Sequence, residues 1–151
     1  MNHPRLSRTS AIYTIAVIGF IYTLHLVIPM YSNSNFLSVY ANEETIGYIY
    51  MLASALSILG FLVVPSIIRR YGNYSTALAL IIIQMLLFVG IINTADPRLI
   101  SALFVAQSAV VALISLTLDI FLEVYTDGPH TGTIRGYYNT ALNASWMMCG
   151  V

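Results

Sequence analysis

From about Ser10 to Met30 the chain carries no Arg, Lys, Asp or Glu, and the same holds from Ile46 to Ile68, Ser75 to Asn93 and Leu99 to Leu118. Each run holds roughly 20 residues, which at a helical rise of 1.5 Å reaches across about 30 Å of hydrocarbon. Membrane-spanning strands would be about 10 residues long and would alternate in polarity. These runs do not alternate, so helices are expected rather than a barrel. Of the 151 residues 58% are hydrophobic and only 8% charged, whereas a soluble domain carries roughly 25% charged residues. An all-α integral membrane protein is the expected class. There is no Lys, and the net charge of zero offers no basic patch for nucleic acid. The single cysteine, Cys149, excludes a disulfide framework and a multi-cysteine zinc site.

Helices are expected over about 10–30, 46–68, 75–93, 99–122 and 136–151, in one transmembrane domain covering residues 1–151. The polar stretch Tyr31-Ser-Asn-Ser-Asn35 reads as the start of a loop. The first run is too long for the apolar part of a cleaved signal peptide, and no Ala-x-Ala site follows it. The fifth run, Tyr137–Val151, is too short to span and has no polar flank beyond it. It reads as an interrupted helix, and the chain as the N-terminal part of a longer protein. A complete protein whose last helix is only partly inserted is the alternative. With the N-terminus on the cytoplasmic side, Arg5, Arg8, Arg69, Arg70 and Arg135 fall inside and Arg98 alone outside, as the positive-inside rule asks. The Asn73-Tyr-Ser75 glycosylation sequon then falls on the inner side and carries no weight.

Polar residues within the spans are costly in lipid unless they face protein or water. His25, one turn before Pro29, could titrate near neutral pH in a proton-coupled cycle, or sit as a neutral imidazole bonded to a neighbouring helix. Gln107, Asn139 and Asn143 are long enough to reach a central cavity. Ser108, Ser115 and Thr117 can satisfy carbonyls of their own helix. Trp146, inside an apolar run, reads as packing.

Asp119 and Glu123 are spaced i, i+4, so both carboxylates project from one face at the inner end of the fourth helix. Arg69 and Arg70 end the second helix and Arg135 opens the fifth, at the same membrane depth. Carboxylates and guanidiniums gathered there can form a network of charge-assisted bonds. Hydrolytic catalysis by the acids lacks a nucleophile–base set, a phosphate-binding loop or a metal-ligand cluster. His3 and His130 have no second His or Cys at ligand spacing, and His130 reads as a turn residue. No enzymatic activity and no cofactor are expected.

Two stretches resemble the N-terminal part of a major facilitator superfamily transporter. Pro65-Ser-Ile-Ile-Arg69-Arg70-Tyr71-Gly72-Asn73 is similar to that family's loop between helices two and three. It keeps Arg70 and Gly72, while Pro65, Arg69 and Asn73 replace the family's Gly, Asp and Arg. Leu118-Asp119-Ile-Phe-Leu-Glu123, followed by Ile134-Arg135-Gly136, looks like the acidic end of helix four and the Arg-Gly start of helix five. The resemblance covers nearly the whole chain. It implies an N-terminal half-bundle of four full transmembrane helices and a truncated fifth. The implied function is secondary transport of a small solute by alternating access, with or without a coupling ion, in the cell membrane. The other half of the same polypeptide would supply the second bundle. Glu123 and Asp119 would pair with Arg70 and Arg135 as an inner latch, and Arg69 could bond Asp119. A non-catalytic multi-pass protein acting through partners within the membrane is the second reading. A four-helix small multidrug exporter ranks last, because its first helix should hold an acid and this one does not.

Overall fold

Each apolar run forms a helix whose ends are set by a few polar residues or by one glycine. The computed structural model describes residues 8–125 and 131–149. Among them 93% are helical and no strand occurs. The helices are α1 (Arg8–Ser38), α2 (Glu43–Tyr71), α3 (Asn73–Ile92), α4 (Pro97–Tyr125) and α5 (Thr131–Cys149). Asn42 caps α2, its Oδ1 accepting from the Thr45 amide at 2.9 Å. Glu43 and Glu44 in the first turn, with Arg69 and Arg70 in the last, complement the helix dipole. Pro97 takes the first position of α4, where its missing N–H costs nothing, and the Asp96 Oδ1 accepts from the Arg98 amide at 3.0 Å.

One residue, Gly72, separates α2 from α3. Its φ of 84° and ψ of 156° lie where only glycine is unstrained, and its amide closes α2 on the Ile68 carbonyl at 2.8 Å. Pro29 and Pro65 sit inside α1 and α2 without ending them. Each lacks the N–H that would bond the carbonyl four residues earlier, His25 and Phe61 respectively.

The expected spans lie on these helices, the last two residues of the fifth falling outside the described residues, with one correction. Tyr31 to Asn35 do not begin a loop, because α1 continues to Ser38. Leu37 is buried against Ile49, Ile100 and Phe104, and the Ser34 hydroxyl lies 3.3 Å from that of Tyr50. Ser and Asn cost at most ~0.7 kcal/mol each in helix propensity. Burying one Leu contributes about 1.5–3 kcal/mol. With the hydroxyl pair added, packing overrides the local preference.

The residues group into two compact units. One runs from Asn33 to Thr117. Its helices α3 and α4 are antiparallel: the Asn73 Nδ2 donates to the Thr117 carbonyl at 2.9 Å, and Leu103 packs on Gly90. That register sets Gln84 and Gln107, both buried, at one level. Leu113 fills the space a side chain would take at Gly60, which lets α2 and α4 approach closely. The other unit joins residues 8–32 with 118–125 and 131–149. Its core is Ile15, Leu122 and Tyr138, and the Ser145 hydroxyl donates to the Phe20 carbonyl at 3.1 Å.

The stretches Ile12–Ser38, Glu43–Tyr71, Asn73–Ile92 and Pro97–Val124 are long and apolar enough to cross a membrane, as in a multi-pass membrane protein. At most 33% of their most apolar windows is buried, and large side chains such as Leu62, Leu86 and Ile92 face outward. Tyr48 and Tyr50 stand near the start of α2, and Tyr71 and Tyr74 near the turn at its other end. All four are exposed, as expected of rings at the two edges of a bilayer. Helix α5, with Thr, Gly and Asn through its first half, is not among the helices apolar enough to cross.

Gly72→Ala meets no neighbour within 4 Å, so its cost is backbone strain alone, about 1–3 kcal/mol. Gly47→Ala, in open space inside α2, is expected to be neutral or to stabilise by up to ~1 kcal/mol. Thermal unfolding in detergent should therefore fall in temperature for Gly72→Ala and stay or rise for Gly47→Ala.

Candidate functional site

The last turns of α4 and the first turns of α5 hold Asp119, Glu123 and Arg135 in one unit. The Arg135 guanidinium lies 3.7 Å from the Glu123 carboxylate. Asp119, one helical turn before Glu123, is within electrostatic reach of both Arg135 and Tyr138. The side chains of Arg135 and Glu123 are 50% and 69% exposed. A pair so open to its surroundings contributes roughly 0–1 kcal/mol. It can therefore break and re-form at small cost. Beneath it Tyr138 is buried between Ile15 and Leu122, and the ring lies so close to Gly19 that a Cβ there would approach it to 2.8 Å.

Arg69 and Arg70 belong to the other unit. The Arg69 Nη2 donates to the Ser66 hydroxyl at 3.1 Å, and the Arg70 guanidinium stands 5.3 Å from the centre of the Tyr71 ring. Both arginines are exposed. Pro65 lies within α2 and Gly72 forms the turn after it. Gly136 is exposed on α5, and its carbonyl accepts from the Thr140 hydroxyl at 2.8 Å.

The four cavity candidates divide in two. Asn139 and Asn143 are exposed one turn apart on α5 and, with Gly136 and Thr140, extend a polar surface along it. His25 is exposed on α1. Gln107 instead is 7% exposed inside its unit, and its Oε1 accepts no hydrogen bond among the described residues. A buried acceptor left so costs about 1–3 kcal/mol. The hydroxyls of Ser108, Ser115 and Thr117 bond carbonyls of their own helix, at 2.9, 3.2 and 2.7 Å. Trp146 is 39% exposed and so packs only in part, because it shares α5 with the outward-facing Met147 and Met148. His3, Arg5, His130 and Val151 lie outside the described residues. Among those described, no group of three or more His, Cys, Asp or Glu could hold a metal ion.

Three residues gain importance only from the structure. Asn73 ties the α2–α3 turn to the α4 backbone, Gln84 joins Gln107 in the interior of one unit, and Tyr138 seats α5 on α1. Asn73 at a helix start signals a cap, but its side chain reaches another helix instead. A lone Gln in an otherwise apolar run was the available signal for Gln84. No protein-family model, curated protein or solved structure matches the chain.

Asn73→Ala should lower stability by about 1–2 kcal/mol, since it removes a half-buried hydrogen bond. Glu123→Gln should lose less than ~1 kcal/mol. Denaturant titration of the two variants in mixed micelles checks the ranking.

Proposed function

We propose that the chain is part of a secondary transporter that moves a small solute across the cell membrane by alternating access. The carrying observation is the exposed Glu123–Arg135 pair, set where α5 begins and where a polar helix surface leads away from it. Asp119 offers Arg135 a second carboxylate one turn away, so the guanidinium can exchange partners without losing its charge compensation. Arg69 and Arg70, at the end of α2, belong to the other unit, and the latch proposed here does not draw on them. A weak, wettable ion network suits a switch better than a staple, because breaking it in water costs little. Asn139 and Asn143 would line the solute path, with His25 and Gln107 as further polar positions. The similarity of residues 65–73 and of Asp119, Glu123, Arg135 and Gly136 to the major facilitator pattern supports this reading. So does the arginine distribution, under which the positive-inside rule would set the N-terminus in the cytoplasm.

The second reading, a multi-pass protein acting through partners in the membrane, is favoured by the same α5 surface. Amides facing lipid are costly, and a partner helix would satisfy them as well as water would.

Cysteine labelling separates the two readings. In a Cys149→Ser background in native membranes, Asn139→Cys and Asn143→Cys should react with a membrane-impermeant thiol reagent if the surface lines an aqueous path. Glu123→Gln or Arg135→Ala should change those labelling rates severalfold and cripple solute uptake while leaving membrane insertion intact. Labelling absent in all backgrounds would remove the aqueous path and overturn the transporter reading, whereas uptake unaffected by either charge variant would overturn the latch.

A further inference from the structure

Between α2 and α4, within the unit from Asn33 to Thr117, an open groove of about 550 Å³ is lined by Ile49, Leu52, Leu56, Leu59, Ala102 and Val105 among others. Its size is in the roughly 300–1,000 Å³ range of ligand clefts. From Ile49 to Leu59 it runs about 15 Å along α2, half of a ~30 Å hydrocarbon layer. That is the depth of one leaflet, and the notch exists because Ala55, Ser101 and Ala102 are small where their neighbours are not.

The charges at the mouth of the groove say what fills it. Arg98 lies at i−3, i−4 and i−7 from Ser101, Ala102 and Val105, so it heads the same face of α4. Its side chain is exposed and forms no ion pair among the described residues. Glu44 stands three turns before Ala55 on nearly the same face of α2, and it too is exposed. The two helix starts are neighbours, since Ile49 packs with Ile100 and Phe104, and the Tyr50 and Phe104 rings meet at 5.7 Å. Counting outward from Ile100 and Ile49, Arg98 lies about 3 Å and Glu44 about 7.5 Å nearer the membrane surface. A cation with the exposed carboxylates of Asp96 and Glu44 beyond it mirrors a zwitterionic headgroup, in which the phosphate lies deeper than the ammonium.

We propose that this groove is a seat for one zwitterionic glycerophospholipid of the leaflet in which α2 and α4 begin. An acyl chain lies along Leu52, Leu56 and Ala102, the phosphate takes charge-assisted bonds from Arg98, and the ammonium faces Glu44. The seat needs α2 and α4 to lie in a bilayer and does not depend on transport, so uptake and lipid retention fail separately.

The test is native mass spectrometry of the intact chain, released from detergent and titrated with phosphatidylethanolamine or phosphatidylglycerol. The wild-type chain should retain one phosphatidylethanolamine in preference to phosphatidylglycerol. Ala102→Trp, which fills the groove, and Arg98→Ala should each weaken retention about tenfold or more. Glu44→Gln should abolish the preference while leaving binding. Ala55→Leu narrows the opposite wall and guards against a folding defect in Ala102→Trp, with helix content read by circular dichroism. Equal retention of both lipids by the wild-type chain overturns the proposal. So does unchanged retention in folded Ala102→Trp and Ala55→Leu, or a dimer that both variants dissociate, which would make a second copy the occupant.

Discussion

Hydrocarbon offers no hydrogen bonds, and nearly every local choice in this chain follows from that. The backbone satisfies itself in helices, and side-chain hydroxyls turn back onto their own carbonyls. Thr14 bonds Ser10, Ser54 bonds Tyr50, Ser57 bonds Ala53 and Thr140 bonds Gly136, all at 2.8–2.9 Å. Outward surfaces are largely Leu, Ile, Val and Met, with aromatic rings among them. The positions that break this rule are therefore the informative ones: the buried amide of Gln107, the charges at the end of α4, and the two asparagines of α5.

Two polar ties in the molecule differ in kind. Asn73 reaches a backbone carbonyl of another helix from a half-buried position, where water replaces a lost bond less readily. Glu123 and Arg135 meet where solvent can replace either partner. The first tie holds the helices of its unit in register. The second can be made and broken by small changes around it, which is the property a moving part needs.

Helix type and position were legible because charge-free runs of this length admit few other structures in an apolar medium. The i, i+4 spacing of Asp119 and Glu123 likewise announced a shared face, and Arg135 does meet Glu123. The end of α1 was not legible, because Ser and Asn favour turns locally and only the distant Ile49, Ile100 and Phe104 make Leu37 worth burying. The role of Asn73 was hidden for a related reason: its partner, Thr117, lies far along the chain and offers a backbone atom, which leaves no trace in residue type. Gln107 was visible as a polar residue in an apolar run, but its burial depends on the register of α3 against α4.

The single-residue link at Gly72 also bears on how the protein enters its membrane. With no loop between them, α2 and α3 cannot be released into lipid as independent segments. A hairpin of two apolar helices must partition as one body, with Arg69 and Arg70 remaining on the side from which it entered. A one-residue link also leaves no space for an inserted domain, a tag or a cleavage site between the two helices.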